Sequence, residues 1–294
     1  MIPEGTYRFP KGFRWGTLCE YPKLSDSGIP EGINSVQISL DMKSIQPKPE
    51  VRNEASVEAL RTVLPKWTHN GVRPMLSLCG NPADCGIDWE KENAPELFYA
   101  YAVKTFDAFK SYVTEWIPIS NPILAVQSMK LRGDKAFRCL EHMTRAHTAV
   151  FEMISRTQPE GIVGTFSGSS EYPHALQNGM LSLNGRKRKL ETVYNTLNFV
   201  IFRVSGKVLQ NDSIRDLAGL NLPIYLCFEG ETDNETLGAA LSQIRELIFR
   251  SIPIAGVFTR STPNLLVKSA ARNGLYLPEL AAYAPSLFHR LWGD

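Results

Sequence analysis

The chain lacks long hydrophobic runs, a strong net charge and the pattern of a secretory leader. No stretch of about 18 apolar residues occurs, so the sequence predicts no membrane-spanning helix. The opening residues, MIPEG, are not a basic start followed by an apolar segment. The formal net charge of +2 gives no reason to expect a nucleic acid as partner. These absences favour a cytoplasmic protein that binds neither membranes nor nucleic acids.

Cysteine is also scarce, and its spacing is irregular. The sequence has 5 cysteines, at positions 19, 79, 85, 139 and 227. An odd and scattered set is typical of reduced thiols and not of a disulfide framework. Cys79 and Cys85 do not have the spacing of a zinc motif, and no histidine lies near them in the sequence. No G-x-G-x-x-G motif follows a predicted strand. We therefore predict no metal site and no cofactor.

Short apolar runs alternate with amphipathic helical patterns along the chain. The predicted strands are residues 15–18, 36–40, 74–78, 116–119, 162–166, 199–203, 224–228 and 255–259. The clearest helical patterns between them are residues 56–67, 98–113, 134–156 and 234–251. Strands that alternate with helices indicate a parallel sheet, because parallel strands need a crossover connection. Eight such units predict an α/β fold, a (β/α)8 TIM barrel that forms a single domain over residues 1–294 with shortened loops.

One basic run breaks the even charge pattern. Arg186–Lys189 reads RKRK and follows the turn signal Asn184-Gly185. Short basic runs occur often by chance. We expect a solvated loop or the start of a helix here, in preference to a phosphate-binding or localisation patch.

Several segments, in chain order, resemble family 1 glycoside hydrolases. Residues 9–17 read FPKGFRWGT, which is similar to the family's motif F-P-x-G-F-x-W-G-T. Residues 98–116 match every letter of the family pattern F-x-x-Y-A-x-x-x-F-x-x-F-x-x-x-V-x-x-W. Shorter similarities lie at residues 71–78, 145–147, 223–226 and 256–258. The resemblance covers most of the chain and implies the same barrel fold.

The resemblance also implies two catalytic carboxyl groups, which this sequence does not supply at the matching positions. A retaining glycosidase needs an acid/base and a nucleophile about 5–5.5 Å apart. In the family these are glutamates in the motifs N-E-P and T-E-N-G, after the fourth and seventh strands. Here Asn121 precedes Pro122 and replaces the acid/base, or matches the family's Asn with the Glu missing. Phe228 takes the nucleophile position, and Glu229 follows one residue later. A shift of one residue turns a side chain to the other face of a strand unless a β-bulge intervenes, so Glu229 stays only a weak candidate.

The sugar-binding residues that the resemblance implies are replaced as well. The family's glycone His and the Trp after it correspond to Gly80 and Asn81. The Arg of its second strand corresponds to Gln37, and a Gln near the first strand corresponds to Lys23. Its sugar-binding Glu and Trp near the last strand fall on Leu266 and Val267. These losses argue against an ordinary glucosidase more strongly than one catalytic substitution would.

Polar residues nevertheless remain at the predicted strand ends, where barrel enzymes have their sites. The possible ligand-binding residues are Glu20, Asp41, Asn121, Arg203, Glu229 and Arg260. One hypothesis is that Arg203 and Arg260 together hold a small anionic ligand. The alternative is that each arginine pairs with a carboxylate of the mouth, namely Glu20, Asp41 or Glu229.

Three interpretations of the whole sequence follow. The favoured one is a non-catalytic, family 1-like barrel (a pseudo-glycosidase) that binds a small anionic or sugar ligand or serves as a scaffold for a partner not identified by the sequence. The second is a residual or altered glycosidase, active on O- or S-glycosides through Glu229. The third is an enzyme of different chemistry that uses the same barrel mouth.

Overall fold

A computed structural model describes residues 9–10, 12–22, 32–48, 50–190, 195–204, 208, 212–228 and 234–260 of the chain. Its strands are β1 (Arg14–Tyr21), β2 (Ser35–Leu40), β3 (Arg73–Cys79), β4 (Glu115–Ile119), β5 (Ile162–Ser167), β6 (Met180–Leu183), β7 (Arg186–Lys189), β8 (Phe199–Arg203), β9 (Ile224–Phe228) and β10 (Ile254–Thr259). Its helices are α1 (Met42–Ile45), α2 (Glu54–His69), α3 (Ala94–Phe109), α4 (Pro122–Ser128), α5 (Gly133–Thr157), α6 (Glu171–Asn178), α7 (Asp212–Ala218) and α8 (Asn234–Phe249), with a short 3₁₀ helix at Pro82–Asp84. Among these helices none is long and apolar enough to cross a membrane.

The sheet is a closed parallel barrel. Its strand order is β1-β10-β9-β8-β5-β4-β3-β2, so each barrel strand pairs with the next barrel strand along the chain and β10 closes onto β1. In the closing pair, Arg14 lies opposite Gly256 and Thr17 lies opposite Thr259. Helices of the crossovers cover the outside. The predicted (β/α)8 TIM barrel is confirmed, and all eight predicted barrel strands form.

The strands divide their side chains between two cores because alternate residues face opposite sides of a sheet. The larger core lies between strands and helices. The smaller one fills the barrel interior and consists of Leu18, Met75, Ile117, Phe166, Phe199, Ile201, Tyr225, Cys227, Ala255 and Phe258. Burial on both faces explains why β8, β9 and β10 have almost continuous apolar sequences.

The basic run Arg186–Lys189 is the second strand of a hairpin, which corrects the expectation of a loop or helix start. It pairs with Met180–Leu183 as an antiparallel two-stranded sheet in the crossover between β5 and β8. Asn184 and Gly185 form the connection, with φ angles of 50° and 77°. Two consecutive positive φ values are typical of the tight turn that suits the twist of a hairpin. The Arg188 side chain ion-pairs with Asp134 and Glu141 of α5, so the basic run is tied to the helix layer.

Helix α3 begins four residues earlier than the predicted range of 98–113 and ends at Phe109. Pro95 stands in its first turn, where a missing backbone N–H costs nothing. The apolar residues up to Val113 continue the helical spacing but lie in the turn that leads into β4. The displacement moves Glu96 and Ala94 into the helix without changing its buried face.

Candidate functional site

A polar cavity of about 400 Å³ lies at the carboxyl ends of the barrel strands. This volume is within the range of small-molecule sites. We call it the mouth cavity. Its described lining residues are Leu18, Glu20, Tyr21, Pro22, Gln37, Ser39, Leu40, Asp41, Lys43, Gly80, Asn81, Asp84, Ser120, Asn121, Phe166 and Arg260. The set combines amide and hydroxyl groups with three carboxylates, two cations and an apolar floor that includes Leu18 and Phe166.

Neutral polar groups occupy the inward positions of β2 and the end of β4. Gln37 donates from Nε2 to the Ser39 hydroxyl at 3.0 Å. The hydroxyl groups of Ser77 and Ser120 are 2.8 Å apart and hydrogen-bonded. Gln37 and Ser39 follow one another at a spacing of two residues, so both face the interior while Val36, Ile38 and Leu40 pack outside. These groups present donors and acceptors without a net charge.

Each described carboxylate that lines the cavity already has a partner. Glu20 forms an ion pair with Arg260, and Asp84 forms one with Lys43. Asp41 is the N-cap of α1: its carboxylate accepts from the Lys43 backbone N–H at 3.1 Å and from the Ser44 hydroxyl at 2.6 Å. These contacts commit the three carboxylates to groups of the protein itself.

Asn121 lies at the junction of β4 and α4. Its backbone is left-handed, with φ 48° and ψ 51°, a conformation that asparagine tolerates better than most residues. Its backbone N–H donates to the Phe166 carbonyl at 2.7 Å, which joins the ends of β4 and β5. The Oδ1 atom is buried and makes no hydrogen bond with any part of the chain that the structure describes. Asn121 therefore stands at the cavity with an uncommitted amide oxygen.

At the end of β9, Phe228 does not face the mouth. Tyr225 and Cys227 belong to the barrel interior, whereas Ile224 and Leu226 belong to the outer core, and Phe228 packs against that outer core. The residue at the position implied for the nucleophile is thus turned toward the helices. Glu229, the other residue proposed there, lies outside the described residues, as do Lys23, Leu266 and Val267.

The two arginines of the anion hypothesis line different cavities. Arg260 lines the mouth cavity, where Glu20 binds its guanidinium group. Arg203 lines a separate space of about 280 Å³ with Gln127 of α4, Ser167 at the end of β5 and Ser169 just after it. Asn121 lines both spaces. Arg260 is thus paired with Glu20, which is the arrangement described above as the alternative to anion binding. The arrangement in which Arg203 and Arg260 face one shared pocket is not the one observed.

Gly80 occupies the position that the resemblance assigns to the glycone histidine. A Cβ atom at this residue would lie 2.8 Å from Cβ of Ser39 and 3.3 Å from the Leu40 carbonyl oxygen. The Gly80 backbone N–H donates to that same carbonyl at 3.1 Å, so β2 holds the loop close. Residues of β2 therefore occupy the space that a side chain at position 80 would enter.

Sequence reasoning missed several residues of the mouth cavity, notably Ser39, Lys43, Asp84 and Ser120. The signal for Ser39 was present, since polar residues alternate with apolar ones in the SVQISL stretch of β2. Lys43 and Asp84 are 41 residues apart in the sequence and meet because they lie in the segments that follow the paired strands β2 and β3.

No family model matches the sequence, and no curated protein matches it. Solved structures do match the fold. The β-glycosidase from Pyrococcus horikoshii superposes with a TM-score of 0.68 at 13% sequence identity, over 87% of this chain and 86% of that chain. The family 1 β-glucosidase from Thermotoga maritima gives a TM-score of 0.67 at 13% identity, over 87% of this chain and 89% of that chain. At this identity the likeness shows the fold. This chain has the TIM-barrel fold of β-glycosidases.

Proposed function

We propose that this protein is a non-catalytic, glycosidase-like barrel that binds a small neutral sugar in its mouth cavity and does not hydrolyse glycosides. The proposal rests on the contacts that the carboxylates of the mouth cavity make. Glu20, Asp41 and Asp84 each have a cation or a helix N-terminus as partner. A glycosidase needs one carboxyl group free to give and recover a proton.

The ligand class follows from the groups that are left. Gln37, Ser39, Asn81, Ser120 and Asn121 offer amides and hydroxyls. Such groups match the hydroxyls of a sugar ring, which donate and accept hydrogen bonds in turn. The pairing of Arg260 with Glu20 makes an anionic ligand the weaker choice. The fold is shared with β-glucosidases, one of which, from Thermotoga maritima, is described in complex with deoxynojirimycin.

A second candidate is a residual or altered glycosidase that uses Glu229. The observation that favours it is the alternation of β9, in which odd-numbered Tyr225 and Cys227 face the interior while Phe228 faces the helices. Glu229 has the same odd parity in the sequence. Such an enzyme would still need an acid, unless its substrate has a leaving group that departs without protonation.

Calorimetric titration with a panel of neutral monosaccharides, together with assays on nitrophenyl O- and S-glycosides, tests both candidates. We expect saturable binding of at least one sugar and no turnover of any glycoside. Gln37→Met should weaken that binding about tenfold, because it leaves a sugar hydroxyl without its partner. Gln177→Met is the matched control, since Gln177 does not line the mouth cavity and pairs with Asn195 instead.

The possible results separate the candidates. Turnover that Glu229→Gln abolishes would overturn the non-catalytic proposal and establish the second candidate. Binding that Gln37→Met and Gln177→Met weaken equally would place the sugar outside the mouth cavity. Absence of both sugar binding and turnover would reject a carbohydrate role altogether.

A further inference from the structure

The hairpin of β6 and β7 leaves one edge of β7 without a neighbouring strand. The two strands form a sheet by themselves, so within the described residues β7 pairs with β6 and with no other strand. The Leu190 N–H donates to the Gly179 carbonyl oxygen at 2.7 Å. Because hydrogen-bonded and non-hydrogen-bonded pairs alternate in an antiparallel ladder, Arg188 bonds to β6 as well, whereas the backbone groups of Lys187 and Lys189 point away from it. The outer edge of β7 therefore offers N–H and C=O groups to a further strand.

The inner face of the hairpin is fixed to the rest of the protein. Leu181 and Leu183 are buried on this face. Arg188 lies opposite Leu181 and so shares the inner face with it. The Arg188 guanidinium forms ion pairs with Asp134 and Glu141 of α5, as described above. The charge of this residue is thus compensated by carboxylates of the protein itself.

The outer face of the hairpin is basic and exposed. Lys187 and Lys189 lie on it, two residues apart, and Met180 is the cross-strand partner of Lys189. Both lysines are exposed, as is Arg186 at the start of β7, and Met180 is 38% exposed. Within the part of the chain that the structure describes, these three cations form no ion pair, in contrast to Arg188. The exposed edge and the uncompensated charge thus coincide in one strand.

We propose that the outer edge of β7 binds an extended acidic segment of another protein, which adds to the hairpin as a third strand. The outward backbone groups of Lys187 and Lys189 supply the hydrogen bonds of the new ladder. Every second side chain of the added strand lies beside these two lysines, because cross-strand neighbours share a face of the sheet. Carboxylates at those positions pair with the two ammonium groups.

The lysines determine the charge of the partner. Lysine on an edge strand keeps apolar or basic strands away, because such strands would desolvate or repel its ammonium group. An acidic strand compensates the same charge. A nucleic acid or an anionic membrane would match the lysines but not the backbone N–H and C=O groups, which recur at the spacing of a strand. The contact is short and open to solvent, so we expect weak binding that high salt abolishes.

Fluorescence anisotropy with the full-length protein and a labelled peptide tests the proposal. The peptide alternates glutamate with threonine, and a second version has a methyl group on every backbone nitrogen. We expect saturable binding of the first peptide to the wild-type protein. The methylated peptide should bind at least about tenfold more weakly, because it keeps the charge but cannot donate backbone hydrogen bonds.

Charge-reversal variants locate the binding surface. Lys187→Glu combined with Lys189→Glu should weaken binding of the glutamate peptide by at least about tenfold, because like charges then face each other. A peptide with lysine in place of glutamate should bind this variant more tightly than the wild type. The matched control is Lys66→Glu with Lys91→Glu, which changes the net charge equally at exposed lysines outside the hairpin. It should alter the affinity by less than about twofold, because solvent and salt screen distant charges.

Any of three results would overturn the proposal. The first is that the wild-type protein does not bind the glutamate peptide, including the case in which it binds only heparin or phosphatidylserine vesicles. The second is equal binding of the methylated and unmethylated peptides, which would show that charge alone is recognised. Both are measured on the wild type and do not depend on whether the variants fold. The third is an equal loss of affinity in both charge-reversal variants.

The result is independent of the proposed sugar binding. The residues of β6 and β7 do not line the mouth cavity. Failure of either proposal would therefore leave the other unaffected.

Discussion

At the residue scale, Gly80 marks the place in the mouth cavity where β2 leaves no room for a side chain. The Gly80 backbone lies close to Leu40, and the Ser39 side chain occupies the space where a side chain of residue 80 would be. Here the neighbouring strand occupies the space, so a larger side chain at position 80 requires β2 to move.

Gly80→Ala should therefore destabilise the protein by about 1–3 kcal/mol, the usual cost of an added methyl group in a packed site. Its Cβ would meet Cβ of Ser39 at 2.8 Å, whereas Cβ of Gly168→Ala, in another strand-end loop, would have Arg203 Cδ at 3.9 Å as its nearest neighbour. Urea unfolding of both variants measures the difference. Gly168→Ala should stay within about 0.5 kcal/mol of the wild type. Equal free energies of unfolding for the two variants would show that β2 shifts to accommodate the added methyl group without a measurable loss of stability.

Individual site residues could be predicted only in part from the sequence. Glu20, Asp41, Asn121 and Arg260 do line one cavity, because residues that follow parallel strands meet at one end of a barrel. Arg203 follows a strand too, yet it lines a neighbouring space. The position of a residue after a strand predicts that it lies at the carboxyl end of the barrel. It does not predict which of the neighbouring cavities the side chain faces.

At the element scale, the predictability of each segment depended on its burial. Most barrel strands were evident because both of their faces are apolar or nearly so, and β2 because its polar and apolar residues alternate. The hairpin of β6 and β7 was not, since Arg186–Lys189 has no apolar residue to indicate a strand. Its turn, Asn184-Gly185, was the only available signal. The short helices α1, α4 and α6 were missed for a related reason, as 4 to 8 residues are too few to show a helical period.

Helix α5 contains a buried histidine that makes stability depend on pH. His147 Nε2 donates to the Thr196 carbonyl oxygen at 2.9 Å, and burial lowers the pKa of the ring to about 4. In the unfolded chain the histidine ring has its ordinary pKa near 6.5. Between that pH and about pH 4 the ring is therefore protonated in the unfolded chain but neutral in the folded protein. This contribution to stability is complete above about pH 6.5 and is lost as the pH falls to 4. At about 1.4 kcal/mol per pH unit it amounts to about 3 kcal/mol.

His147→Gln tests this at the level of the helix, because glutamine can still donate to Thr196 but does not titrate. The difference in unfolding free energy between wild type and variant should shrink by about 3 kcal/mol between pH 7 and pH 4. Urea unfolding across this range gives the measurement. His69→Gln, at the exposed end of α2, serves as the matched variant. A constant difference between wild type and His147→Gln at all pH values would mean that the ring is protonated equally in both states.

At the scale of the whole molecule, an ion pair crosses the amino-terminal half of the barrel interior. Arg14 of β1 binds Glu115 of β4, and their side chains are 3% and 5% exposed. These strands are three positions apart around the barrel, so the pair joins elements that share no backbone hydrogen bond. Arg73 of β3 is close as well, since the charge of Arg14 lowers its pKa while Glu115 opposes that effect. Glu115 thus interacts with two cations.

Removal of one member should cost far more than removal of both. Glu115→Leu removes the carboxylate that interacts with both guanidinium groups, and Arg14→Met leaves the buried Glu115 with only the exposed Arg73. We expect each single variant to lose about 3–5 kcal/mol, while the double variant stays within about 1 kcal/mol of the wild type, because apolar groups of similar size replace a costly buried pair. A double-mutant cycle by urea unfolding measures this coupling. Additive losses in the double variant would mean that the barrel relies on the pair itself, and that its interior does not tolerate an apolar replacement at this level.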